Sequence, residues 1–410
     1  MHDLQDPMRN EVHRSNDAAP ARDAVAGAPQ RQELRVGFLP LTDCAPVVMA
    51  AARGFDEAQG IRIVPVKAPS WAALRDMLLG DAIDLAHALY GLPYGLHLGI
   101  GGLQRPMAVL MTLNRNGQAL TISRALAERG AVDAVSLARL VAQQPREYVF
   151  AQTFPTGTHA MWLAYWLASA GIDPLRDVKI VTVPPPQMVE ELRAGRIDGF
   201  SAGEPWNHRA ILDGVGVGVA TSQQLWPNHP EKVLAATASF VDAHPDAARA
   251  AVRALLDAGR WLDAESRHRV VAAEILARPA YVDAPVEAIL PRLLGRYQDG
   301  RGHTWDDAEP VRFFDRGDVT FPYLSDGVWF LTQFRRWGLL REHPDYLGVA
   351  RSINRIDLYS EAARALGVAV PAEPLRTSRL FDGGLWDGSD PARYADGFRI
   401  DARAAASAAA

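Results

Sequence analysis

The stretch 34–88, LRVGFLPLTDCAPVVMAAARGFDEAQGIRIVPVKAPSWAALRDMLLGDAIDLAHA, decides the class of fold. Leu34 to Leu39 alternates apolar and polar residues and runs into Pro40, as a strand does. Residues 45–58 have helical character and stop at Gly60. Ile61 to Val66 is a second strand, and Ser70 reads as the N-cap of a helix over Trp71 to Leu79. Ile83 to Ala88 is a third strand. Strand, helix, strand, helix, strand predicts a parallel sheet with helices on its faces.

Working outward, the pattern repeats over residues 121–220. Helices are expected at 122–129 and 134–143, and a strand at Tyr148 to Ala151. A helix follows over His159 to Ala170, then a strand at Lys179 to Val183. A helix over Gln187 to Ala194, a strand at Ile197 to Phe200 and a helix from Pro205 to Leu212 complete this second unit. After 220 the alternation ends. A strand-like run from Lys232 to Ala238 is followed by Ala-rich helices at 244–263, 268–277 and 283–294. The expected organisation is a first lobe of 34–120 with 221–400, a second lobe of 121–220, and crossings near 113–121 and 215–225. Residues 1–33 read as a disordered arm and 401–410 as a disordered tail. The cleft between the lobes is the expected ligand site, because loops at the carboxyl ends of strands converge there.

Composition narrows the function. The 410 residues are 48% hydrophobic and 22% charged, which suits a folded protein of two or three units. A net charge of −5 makes a polyanion-binding surface an unlikely default, and direct nucleic-acid contact is not expected. Cys44, the one cysteine, excludes an internal disulfide and a cysteine-based zinc site. No run approaches the roughly 18 apolar residues of a membrane span. Residues 1–33 have no apolar export core, which points to the cytoplasm. GxxxxGK[ST] and HExxH are both missing. The GxG at Gly99 to Gly101 lacks its strand–turn–helix setting. The eleven histidines show no ligand spacing, so neither a metal nor a cofactor is expected.

Five places at element ends carry usable chemistry. Trp71 offers a flat ring after a strand, and Gln118 an amide beyond the Asn114–Gly117 turn. Thr153 to His159 forms a helix N-terminus, with free N–H groups and a favourable dipole for an anion. Gly203 allows close backbone approach, with Glu204 at a strand end and Pro205 opening a helix. Lys232 starts an apolar strand. Singly, each has an ordinary alternative: core packing for Trp71, a solvated side chain for Gln118 and Lys232, packing or capping for His159. Together they suit a small planar oxyanion whose charge Lys232 neutralises. A sulfate or phosphate site would want more N–H donors or a bidentate Arg.

Several runs resemble the nitrate/bicarbonate-binding proteins of ABC transporters. They are RVGFLPLTDCAPVVMAAARGF, SWAALRDMLLGDAIDLAHAL, LNRNGQALTIS, TFPTGTHAMWLAYWLASAGIDP, PPPQMVEELRAGRIDGFSAGEPWN, WPNHPEKVL and, near the end, FDGGLWDGSDPARYADGF. The resemblance spans about 34–400 and implies an α/β, two-lobed periplasmic-binding-protein-like fold of type II, with a helical C-terminal extension on lobe 1. It implies an anion gripped by Trp71, Gln118, His159, the Gly203 backbone and Lys232, with Glu204 orienting His159 or Lys232 from behind. The bicarbonate branch is expected to differ at the His and Lys positions, so their presence favours nitrate or nitrite. Without an export signal or lipid-modified Cys in view, the chain looks most like the cytoplasmic nitrate/nitrite sensors of the NasS type. The resemblance then implies a partner, a NasT-like ANTAR-domain antiterminator that the anion releases. The solute receptor of a nitrate importer is the alternative. An enzyme on this fold, of a thiamine-pyrimidine or riboflavin-related kind, is a third reading and would place Cys44 in the cleft.

Overall fold

Leu34, Val36 and Phe38 are buried while Gln32 and Glu33 are exposed, so the first strand, β1 (Gln32–Phe38), turns alternate side chains into the core. The structure, a computed structural model, describes residues 32–402. The arm expected at 1–33 lies outside the described residues up to 31, and Gln32 and Glu33 already belong to β1. Of the expected tail only Asp401 and Ala402 are described. Nine further strands build the lobes: β2 (Ile61–Lys67), β3 (Leu85–Leu89), β4 (Met107–Arg115), β5 (Gln118–Ser123), β6 (Val149–Gln152), β7 (Lys179–Thr182), β8 (Gly199–Gly203), β9 (Gly216–Thr221) and β10 (Pro230–Thr237).

These strands form two five-stranded sheets, ordered β2-β1-β3-β10-β4 and β7-β6-β8-β5-β9. Both are mixed, where the sequence pattern predicts a parallel sheet. β1 pairs in parallel with β2 and β3, but β10 is antiparallel to β3 and β4. In the second sheet β6 is parallel to β7 and β8, and β5 is antiparallel to β8 and β9. The cause lies in the crossings, which are strands rather than loose connectors. β4 passes into β5, in the other sheet, through Asn116 (φ 62°) and Gly117 (φ 89°), a left-handed pair. A Cβ on Gly117 would also lie 2.9 Å from the Val311 Cβ. The chain leaves the first sheet at the carboxyl end of β4 and returns to that end through residues 222–229, so β10 has to run backwards. By the same argument β5 starts at the cleft and runs away from it, opposite to β8.

Helices cover the outer faces. Ala45–Ala52 and Pro245–Ala264 pack on the first sheet, and Ile356–Ala365 packs on the second of these. The helix expected over 45–58 divides at Arg53–Gly54 into Ala45–Ala52 and Phe55–Ala58. A hairpin, β11 (Arg296–Gln298) with β12 (Thr304–Asp306), reaches the second sheet, where Gly218 N donates to Asp299 O at 3.1 Å. The C-terminal extension lies on the first lobe and also straps the second. Its helix Leu324–Arg336 touches helix Thr158–Ser169, the Tyr165 hydroxyl donates to Asp382 Oδ2 at 2.8 Å, and Phe381 N donates to Leu225 O at 2.9 Å. Among the described residues no helix is long and apolar enough to cross a membrane.

Candidate functional site

Local sequence places each group at the cleft. Trp71 is the first residue of helix Trp71–Leu79, which Ser70 caps by accepting from Ala73 N at 3.1 Å. His159 is the second residue of helix Thr158–Ser169, whose opening N–H groups carry no side-chain cap. Gln118 begins β5 and stands opposite Gly203, the last residue of β8. Lys232 lies in β10 between β3 and β4, opposite Leu89 and Asn114. All five are brought together from the two lobes, and the four side chains are buried.

They converge on a residue the sequence reading did not single out. Asp43 sits in the short turn Thr42–Cys44 after β1, fully buried. Its Oδ2 accepts from Lys232 Nζ at 2.8 Å and from Gln118 Nε2 at 2.9 Å. Its Oδ1 pairs with His87 Nε2 at 2.9 Å. Gln118 Oε1 in turn accepts from His159 Nε2 at 3.1 Å, and His159 Nδ1 meets the Thr153 hydroxyl at 2.7 Å. Because Gln118 Nε2 donates to Asp43, its Oε1 is left as an acceptor, which puts a proton on His159 Nε2. The Trp71 ring lies 6.1 Å from the His87 ring at 29°, and Lys232 Nζ stands 5.7 Å from its centre. Trp71 Nε1 is buried without a hydrogen-bond partner.

Glu231 is the second unforeseen member. Neighbours on a regular strand face opposite ways. Here the β10–β4 register slips between Pro230 and Lys232 and again before Val233. Such a bulge lets consecutive side chains meet, and Lys232 Nζ reaches Glu231 Oε1 at 2.7 Å. Lys232 is therefore held by two carboxylates. This corrects the charge count drawn from sequence, in which Lys232 was free to neutralise a ligand.

Burial sets the protonation states. It would raise Asp43, but Lys232 and His87 outweigh it and hold the carboxyl below its usual range. Burial pushes Glu231 up to about 7 against the pull of Lys232. For Lys232 the two carboxylates overcome burial and raise it. Burial and then Lys232 push His159 well below its ordinary value, and burial lowers His229 to about 3.

Glu204 turns away from His159 and Lys232. Its carboxylate accepts from Arg292 Nε at 3.0 Å and from His208 N at 3.0 Å. Its backbone carbonyl instead ties the lobes, accepting from Thr42 N at 2.7 Å and Thr42 Oγ1 at 3.2 Å. Trp206 Nε1 adds a second tie to Pro40 O at 3.0 Å. Cys44 is buried, and burial followed by the Asp43 charge pushes its thiol up, away from the reactive thiolate. Among the described residues no group of three His, Cys, Asp or Glu side chains is disposed to hold a metal. A cavity of about 420 Å³ opens elsewhere, beside β9 and β11–β12, and contains none of the five convergent residues.

Residues 27–277 match the model of the NMT1-like family. The chain is 36% identical over 386 residues to the nitrate/nitrite binding protein NrtA of Synechocystis sp., covering 91% of this chain and 86% of that protein. It is 37% identical over 379 residues to the nitrate import ATP-binding protein NrtC of the same organism, where it spans 56% of the relative and 90% of itself. The crystal structure of the periplasmic nitrate-binding protein NrtA from Synechocystis PCC 6803 superposes with a TM-score of 0.86 at 35% identity, over 91% of this chain and 100% of that one.

Proposed function

We propose, since this chain belongs to the NMT1-like family and is a homologue of the nitrate/nitrite binding protein NrtA, that it binds nitrate or nitrite between its lobes as the solute-binding component of an ABC importer. The observation that carries this is the convergence of Trp71, Gln118, His159, Gly203 and Lys232 from two lobes onto one buried point. A planar monovalent oxyanion suits it. Lys232 has three N–H donors, of which Asp43 and Glu231 take two. The third, the Trp71 N–H and the open turn of helix Thr158–Ser169 are left to meet ligand oxygens. Because these groups are buried, entry requires the lobes to part at the Thr42–Glu204 and Trp206–Pro40 ties, with Asn116–Gly117 and 222–229 as hinges.

The test is titration calorimetry with nitrate, nitrite, bicarbonate and sulfate. Nitrate or nitrite is expected to bind and sulfate to stay silent, since a second ligand charge would lie unpaired among two carboxylates. Silence with both nitrogen oxyanions overturns the reading. A sensor in the cytoplasm that holds a NasT-like antiterminator is a second proposal for the same site. It requires that anion and partner prefer different lobe arrangements. An adjacent permease and ATPase gene pair supports the importer. Recovery of an antiterminator on the tagged chain, and its release by nitrate, supports the sensor.

Gly203→Ala tests the backbone contact. A Cβ there would come within 2.7 Å of Gln118 Oε1 and 3.0 Å of Leu41 Cδ2. The Gln118 amide has to move off His159, so nitrate affinity is expected to fall by roughly tenfold with the fold retained, about the worth of one charge-assisted hydrogen bond. Unchanged affinity by calorimetry removes Gly203 from the site.

A further inference from the structure

The bulge at 230–233 puts two carboxylates and one ammonium in a single buried cluster. With Glu231 ionised, Asp43, Glu231 and Lys232 sum to one negative charge. A monovalent anion would make that two, shielded from water, which is a costly state. Resting on the anion reading above, we propose that Glu231 is a further ligand-binding residue, and that its carboxyl group takes up one proton for each anion captured.

Geometry selects Glu231 over its neighbours. Asp43 accepts from three donors on three strands, and a proton there would forfeit them. His159 is engaged at both ring nitrogens, and His87 donates to Asp43 beside the Lys232 charge. His229 Nδ1 is turned to Pro230 O at 3.1 Å and stands 3.6 Å from Glu231 Oε2. Glu231 faces Lys232 on its own strand, Asp43 beyond β1, His159 and Thr158 on the helix, and His229 in the loop before β10. Among these only Lys232 gives it a close charged donor, so it is the group that gives way. Its elevated titration range agrees, while the three histidines titrate lower. Protonation does two things: it brings the side chains to neutrality before the anion arrives, and it releases an N–H of Lys232 from Glu231 to the ligand. The new carboxyl O–H is itself a donor.

Nitrate is the right probe because, as the anion of a strong acid, it does not titrate; any proton taken up goes to the protein. Calorimetry in paired buffers of different ionisation heat counts that proton. At about pH 8 close to one proton per nitrate is expected, and at about pH 6 little, because Glu231 already carries it. The dissociation constant is expected to be flat below about pH 6 and to rise tenfold per pH unit above about pH 7. Glu231→Gln, with a neutral amide in place of the acid, is expected to lose both the slope and the uptake, whatever its affinity at low pH. Binding without proton uptake at pH 8, or a Glu231→Gln variant that keeps the wild-type slope, overturns the inference. Should that variant fail to fold or to bind, the wild-type proton count still decides. No nitrate binding at pH 6 by the folded chain defeats the anion reading instead.

Discussion

Lys232→Met is expected to abolish nitrate binding at working concentrations, with affinity falling by roughly a hundredfold or more, the usual consequence of removing one partner from a buried charge cluster. Among the described residues Lys232 is the one lysine or arginine paired with Asp43 and Glu231, and all three are fully buried. Methionine matches the length of the stem but carries no donor and no charge. Stability falls too, by roughly 3 kcal/mol, because Asp43 loses the charge that holds it ionised. The loss has a defined pH dependence. Without Lys232 both carboxyl groups move up, so each favours the folded state more as protons become available. For a carboxyl raised on folding, the penalty is relieved below its unfolded value and grows as pH rises through its folded value. The stability gap between Lys232→Met and wild type is therefore expected to widen from about pH 5 to pH 8 in thermal or denaturant unfolding. A gap that narrows with rising pH, or unchanged nitrate affinity, means that Lys232 is not the charge at the centre of the site.

How far the site was legible in the sequence depends on what local pattern encodes. Ser70 with Trp71–Leu79, and Ala134–Gln143, were readable because a cap and a helical apolar stripe coincide. β4 was not, since all nine of its residues are buried and MAVLMTLNR shows no alternation. β5 and β9 are six residues each and sit where the chain changes lobes, so a crossing and a strand look alike. Missing them hid the antiparallel pairing. The five anchor residues fall in motifs that the family resemblance aligns, and all but Lys232, the third residue of β10, stand at element ends. Asp43 and Glu231 lie inside those motifs as well. One signal was available: a lysine opening an apolar strand needs an acid, and Glu231 is its neighbour while Asp43 ends the first strand's loop. What sequence cannot show is the register slip that turns Glu231 and Lys232 to the same side. The role of Glu204 is hidden for the converse reason, because Arg292, 88 residues away, claims its carboxylate.

Asp43→Ala is expected to cost roughly 3–5 kcal/mol of stability and at least about tenfold in nitrate affinity, because it strips the acceptor that three donors share. Gln118 Nε2 and His87 Nε2 are left buried without their partner, and Lys232 keeps only Glu231. The bond to Gln118 also joins a first-lobe turn to the second sheet, so its loss loosens the closed arrangement of the lobes. Asp43→Asn is expected to be milder. His87 can shift its proton to Nδ1 and accept from the new amide, leaving the amide oxygen for Lys232 and Gln118; the charge is lost but the hydrogen bonds survive. The ordering Ala worse than Asn separates an organising acceptor from a mere counter-ion. A double-mutant cycle with Gln118→Ala then measures the link between lobes, with a coupling of at least about 1 kcal/mol expected for residues in one buried network. Additive effects, or an Asn variant as damaged as the Ala variant, would show that Asp43 supplies charge alone and that Gln118 is positioned by its strand.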